Sequence, residues 1–192
     1  MNTPAHALIN LATLGRKDRS ETAAPIVAGA VLPDVPIFLF YGYEKWIERA
    51  PEREIWSSLY FAPEWQAVFD LVPSLPLTLA GCAVAARLGA RRWAALFLSM
   101  ALHAAVDFCV HADDAHRHFY PFSDWRFHSP FSYWDPRHHG VLGAGIEAAL
   151  VVLSSIVLFR RSPHGVGRAV VAGLASIYVL GWGFALIVWG GG

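Results

Sequence analysis

Ala169–Trp189 runs the length of a bilayer-crossing helix without one charged side chain. Crossing the hydrocarbon layer takes about 20 apolar residues, and a small soluble domain would have to hide that whole surface inside itself. Four more runs share the pattern: Val141–Phe159 with the single acid Glu147, Trp93–Val110 with only Asp107, Leu71–Ala86 with Asp70 at its mouth, and Pro25–Tyr41. The last is broken by Pro33 and Pro36 around Asp34. Broken helices are tolerated at membrane depth where they lie within protein or line a cavity, so this kink places a carboxylate inside the bundle. Composition agrees, at 55% hydrophobic and 16% charged with a mean hydropathy of +0.39, whereas soluble domains carry nearer a quarter charged residues. The reading is an all-α polytopic membrane protein. It predicts one membrane domain over residues 1–192, with about five transmembrane helices plus a short N-terminal helix.

The basic residues orient it. Arg16, Lys17 and Arg19 precede the first run, Arg87, Arg91 and Arg92 separate the second and third, and Arg160, Arg161 and Arg168 separate the fourth and fifth. These three loops alternate along the chain and contain only Asp18 and Glu21 as acids, so the positive-inside rule makes them cytoplasmic. The loops Gly42–Asp70 and Ala112–Gly140, and the C-terminus, then face the other side. Both loops are rich in Trp, Tyr and Phe, as segments at a membrane interface are. So many aromatics predict that Ala112–Gly140 is ordered and folds over the mouth of a site. The N-terminal residues lack a basic region before the apolar part, so they do not read as a signal peptide. A net charge of zero leaves no electrostatic footprint for nucleic acid. Cys82 and Cys109 lie in apolar runs and read as small buried hydrophobes.

"TPAHALINLATLG" is too short to span. Thr3 reads as its N-cap, with Pro4 at the first helical position and Gly15 as the stop. His6, Asn10 and Thr13 make one polar stripe on this helix, which either lies in the interface or re-enters among the spans. Only re-entry buries His6.

The segment "LHAAVDFCVHADDAHRHF" gathers titratable groups at the end of an apolar run. Residues four apart share a helix face, so Ser99, His103, Asp107 and His111 form one polar ridge. An intramembrane Asp is costly unless paired or bound to a cation. A His-x-x-x-Asp pair offers nitrogen and oxygen ligands that suit zinc best, with manganese or iron as alternatives; a His–Asp hydrogen bond that staples helices is the plainer reading. Asp34 lies near the same depth, and a re-entrant His6 joins them. His6, Asp34, His103 and Asp107 together supply two nitrogens and two oxygens, a set fitting an open catalytic zinc site. His111, Asp114 and His116 are the candidates for general acid or base, or for further ligands. His138, His139 and Glu147 stand at the start of the fourth run, Glu147 as ligand or outer partner. His128 and His164 read as loop histidines.

"TPAHALIN", "GAVLPDVP" and "HAAVD" followed by "YPFSDW" resemble the bacterial membrane-bound metal-dependent hydrolases, which are distantly similar to zinc-dependent phospholipase C. Over the whole chain, "SDWRFHSPFSYWDPRHHG" included, the resemblance is to small alphaproteobacterial membrane proteins labelled as cobalamin-biosynthesis proteins. The amidotransferase or nucleotide-binding motifs that such a label requires are missing here. The resemblance implies metal ligation by His6, Asp34, His103 and Asp107 in the bacterial inner membrane. Two departures stand out: the hydrolases' His-Arg-Gly-x-Thr-His-Ser block has no counterpart, and Pro36 replaces the usual second aspartate after Pro-Asp.

Two functions follow as expectations. One is a membrane metallohydrolase whose Zn2+ acidifies water and polarises a phosphoryl or acyl oxygen, acting on a lipid or lipid-linked phosphoester. The other is a non-enzymatic protein that binds or moves a divalent cation or proton through Asp34, Asp107 and Glu147. Ligands clustered at one side favour the first; ligands spread across the bilayer favour the second.

Overall fold

The computed structural model describes residues 1–162 and 165–189, with the side chains of 185–189 excepted. His164 and the C-terminal Gly192 lie outside the described residues. All regular structure among them is helical. Helix α1 is Thr3–Leu14, α2 Ala23–Val31, α3 Val35–Gly42, α4 Glu52–Ser57, α5 Pro63–Leu71, α6 Leu75–Arg87, α7 Arg91–Asp107, α8 Gly140–Arg161 and α9 Gly165–Trp189. Among the described residues, four helical stretches are long and apolar enough to cross a membrane: Lys17–Ile47, Pro63–Arg87, Gly140–Arg161 and Gly165–Phe184. At 17 residues, α7 is the short one. Large apolar side chains such as Val141 at 82% and Leu180 at 71% exposure stand on the outside.

The Pro-Asp segment bends without separating. Leu32–Asp34 is a 3-10 turn joining α2 to α3, because Pro33 and Pro36 offer no N–H to the preceding carbonyls. The second apolar run starts earlier than expected, at Pro63, and breaks between α5 and α6. There the Leu75 N–H donates to the His118 carbonyl at 2.8 Å. Thr3 is not the N-cap of α1; Asn2 is, in extended conformation, and Thr3 occupies the first turn. Cys109 is exposed and Cys82 half-buried, so neither is the buried hydrophobe that its apolar run implied.

Helix α1 lies among the long helices, not in an interface, packed against α2, α7, α8 and α9. Ala5, His6, Ala7, Leu8 and Asn10 all have 0% exposure. Its apolar side meets Val151, Leu158, Val171 and Tyr178 of α8 and α9; of its polar stripe, His6 and Asn10 turn to α7, while Thr13 is exposed. Helix α7 is held between α2 and α6. Gly29 makes the α2–α7 contact possible: a Cβ there would run into the Leu96 carbonyl and stand 2.9 Å from the Ser99 Cβ. The close approach lets α7 side chains reach α2 carbonyls.

The basic segments meet at one end. Arg161 donates to the Ala12 carbonyl at 2.7 Å, and Glu21 shares a surface recess with Gly89–Trp93. At the other end, Phe40 packs edge-on against Trp65 (5.1 Å) and Phe69 (5.5 Å), and residues 112–140 fold back over α7. Ser129 N–H donates to His111 O at 3.0 Å and Tyr133 N–H to Val110 O at 3.2 Å.

Candidate metal centre

Asp107 closes α7 and is 5% exposed. His103 Nε2, one turn earlier, stands 2.9 Å from its Oδ2, and His6 Nε2 stands 2.9 Å from its Oδ1. Ligand atoms of these three residues all lie within 4.8 Å of one another. Asp34, delivered by the 3-10 turn, brings Oδ1 to 3.5 Å from His103 Nε2, and Thr3 Oγ1 donates to its Oδ2 at 2.5 Å. Thus His6, His103 and Asp107, with 101 positions between the first and the last, meet in one place, while Asp34 stands beside His103 and outside that group. The His6 and His103 rings stack with centroids 3.6 Å apart.

The protonation pattern of His103 follows from its partners. Nδ1 is 2.8 Å from the Ala30 carbonyl, which can only accept, so Nδ1 carries the hydrogen. A neutral His103 therefore turns a bare Nε2 lone pair toward two carboxylates. The Met1 amino group also enters, 2.7 Å from Asp107 Oδ1 and 3.2 Å from His111 Nε2.

His111 and Asp114 form a dyad beside this cluster. His111 Nδ1 donates to Asp114 Oδ2 at 2.9 Å, and Trp134 Nε1 donates to the same oxygen at 3.1 Å. His111 Nε2 faces the centre, 3.5 Å from Asp107 Oδ1. Burial and the Met1 ammonium disfavour protonation of His111, but Asp107 and Asp114 outweigh them and raise its pKa. Burial would raise Asp114, yet the hydrogen bond and charge of His111, joined by Trp134, hold its carboxyl far below the usual range.

His116 is turned elsewhere. Its Nδ1 donates to Asp70 at 3.1 Å, although its ring centroid lies 5.3 Å from that of His111. Asp70 is fully buried and also takes the Arg117 N–H at 3.1 Å and Arg117 Nε at 2.5 Å, so this ion network locks residues 112–140 onto α5. Glu147 is not among the grouped ligand atoms; Asn2 Nδ2 donates to it at 2.8 Å and the Asn2 N–H at 3.3 Å. His138 Nε2 is 3.4 Å from Asp113, and these two form a second group with Asp135, in which Asp113 is exposed, His138 half-buried and Asp135 buried; His139 packs its ring on Phe131, and His128 donates to the Ala112 carbonyl.

Sequence reasoning missed Thr3 as the partner of Asp34, and Asp70 as the anchor of the loop. It also missed Tyr133, whose ring is 5.3 Å from that of His111. Only for Thr3 was there a signal, since a threonine in the first turn beside Pro4 lies within reach of whatever His6 faces. Compared with known proteins, the chain matches no family model, no curated protein and no solved structure.

Proposed function

We propose that this chain is a membrane-embedded metal-dependent hydrolase of the bacterial inner membrane, crossing it five times with α7 as the third span. Its site opens on the non-cytoplasmic side, opposite the basic end. His6, Asp34, His103 and Asp107 would hold one divalent metal, and the N2O2 donor set suits Zn2+. The observation that carries this reading is the His103 ring. With Nδ1 committed to Ala30, a neutral His103 would hold its Nε2 lone pair 2.9 Å from Asp107 and 3.5 Å from Asp34, acceptor against acceptor. A cation between them relieves that repulsion, and the Nδ1–carbonyl bond is the outer contact that metal-binding histidines ordinarily make.

Bound there, the ion supplies Lewis acidity toward a phosphoryl or acyl oxygen and acidifies water. The chain's own groups do the rest. Asp114 orients His111 so that Nε2 faces the centre, the placement that general acid–base work requires. Trp134, Phe131, Trp125 and Phe122 stay exposed on the same loop, an aromatic rim that suits a substrate presented at the membrane surface, such as a lipid or lipid-linked phosphoester. The acids gather on one side: Glu147 is engaged by Asn2 beside the cluster. That grouping favours hydrolysis over a cation path through the bilayer.

Protonation of His103 would relieve the same repulsion, and metal analysis separates the two. The full chain, purified in detergent and loaded with Zn2+, is expected to retain the metal through gel filtration. It should then hydrolyse a phosphoester lipid, and both properties should fail in His103→Ala. A wild-type protein that retains no divalent metal would overturn the proposal and make the cluster helix-joining glue.

A further inference from the structure

Tyr133 stands at the edge of the centre, and its backbone is fixed from two sides. Its N–H donates to the Val110 carbonyl, just beyond α7, at 3.2 Å. From the other side the first turn of α8 presses in: a Cβ on Gly143 would collide with the Ser132 carbonyl and stand 3.0 Å from the Tyr133 Cα. The Ser132 N–H closes this short segment onto the His138 carbonyl at 2.7 Å. The half-buried ring is thereby set beside His111, with centroids 5.3 Å apart and planes inclined at 57°.

The phenol lies among acids. Burial, and then the charges of Asp114, Asp107, Glu147 and Asp34, push its pKa well above the ordinary 10.0, so it keeps its hydrogen and does not act as an anionic ligand. A hydroxyl in such a field would be expected to give that hydrogen to a carboxylate, yet among the described residues none accepts it. The neighbouring donors are spent: Thr3 Oγ1 on Asp34, Trp134 Nε1 on Asp114 and Asn2 Nδ2 on Glu147. The Tyr133 O–H is not.

We infer that Tyr133 is a catalytic residue of this centre: its O–H donates to a phosphoryl oxygen of the substrate and steadies the charge that builds there, without giving up the proton. The inference deepens the hydrolase reading and rests on it. An anionic substrate meets repulsion from the surrounding carboxylates, and a fixed neutral donor aimed at the developing charge offsets part of it. Phosphoryl suits this arrangement better than acyl. A phosphoryl group has more than one non-bridging oxygen, so one can face the cation while another takes the phenol hydrogen. His111 then stays free for the attacking water.

The test compares wild type with Tyr133→Phe, as full chains in detergent loaded with equimolar Zn2+, and uses inorganic phosphate as the probe. The lost oxygen has no protein partner, so folding, thermal stability and Zn2+ affinity by chelator competition should match wild type. Phosphate binding, followed by calorimetry, should weaken by about 10- to 100-fold, as for a lost hydrogen bond to a charged group. Turnover of a phosphoester lipid should fall by about 100- to 1,000-fold in kcat, with KM moving less, as for a lost oxyanion donor. Equal phosphate affinity in the two proteins would overturn the inference. So would a variant that loses Zn2+ or fails to fold, because the hydroxyl would then hold the protein together instead of the substrate. A wild type that keeps Zn2+ but takes no phosphate overturns the inference and leaves the metal centre standing. A wild type that keeps no Zn2+ refutes the metal reading, and the assignment of Tyr133 falls with it.

Discussion

His103 and Asp107 face each other one turn apart on α7, Nε2 to Oδ2 at 2.9 Å, while the back of the His103 ring is tied to the Ala30 carbonyl. Asp107 also holds His6 and the Met1 amino group at its other oxygen, so it is the group that both His6 and His103 share. Asp107→Asn is therefore expected to weaken Zn2+ binding by more than the roughly 100-fold upper range for losing an outer partner. Thr3→Val, which removes only the hydroxyl on Asp34, should fall within the range of about 10- to 100-fold. Chelator competition on the purified proteins measures both, and equal losses would contradict the ranking.

Gly29 controls whether α2 and α7 can meet. Gly29→Ala must push the helices apart, because the new methyl would collide with the Leu96 carbonyl and crowd the Ser99 Cβ. Overpacking of this kind costs about 1–3 kcal/mol. It should also stretch the His103–Ala30 and Ser99–Ile26 bonds, so thermal stability and Zn2+ affinity should fall together. Gly145→Ala on α8, where a Cβ meets open space, is the control and should leave both intact.

The site's members were legible from the sequence because each was an oddity in its surroundings: an Asp between prolines, a His-x-x-x-Asp in an apolar run, a histidine on an otherwise apolar short helix. Burial of polar groups is expensive, so such residues announce themselves. Partners in irregular loops do not. Asp70 reads as the charged edge of a span, and its partners His116 and Arg117 come from 46 and 47 residues away, at no spacing that periodicity can detect. The cap of α1 was misassigned for a related reason: Asn2 and Thr3 are both good caps, and the demand of Asp34 for the Thr3 hydroxyl arises only once the chain has folded.

That hidden network makes its own prediction. Asp70 has 0% exposure and carries His116, Arg117 and the edge of Arg126, 3.5 Å away. Asp70→Asn leaves Arg126 without its carboxylate and Arg117 with only the exposed Asp124, 2.7 Å away. Breaking a buried pair costs about 3–5 kcal/mol; the partial exposure of Arg117 and Arg126, 17% and 28%, puts the expectation near the lower end. Unfolding in detergent should register the loss. Limited proteolysis should show new cleavage within residues 112–140, and a loop as resistant as in the wild type would show that Asp70 does not hold it down.

His118 should make the same loop sensitive to acid. Burial, reinforced by the neighbouring His116, pushes its pKa down from 6.5 to about 4, and its Nε2 is buried with no partner. Between those two values the unfolded chain takes up a proton that the folded chain refuses. Stability from this group is thus fully present above pH 6.5 and falls as the pH drops toward 4, by about 1.4 kcal/mol per unit. Other carboxylates titrate in acid too, so the informative quantity is the difference between wild type and His118→Leu. That variant should lose this segment of the pH slope while remaining folded at neutral pH. Denaturant unfolding at half-unit steps from pH 7.5 to 4.5 measures it, and parallel curves for the two proteins would show that His118 titrates freely in the folded state.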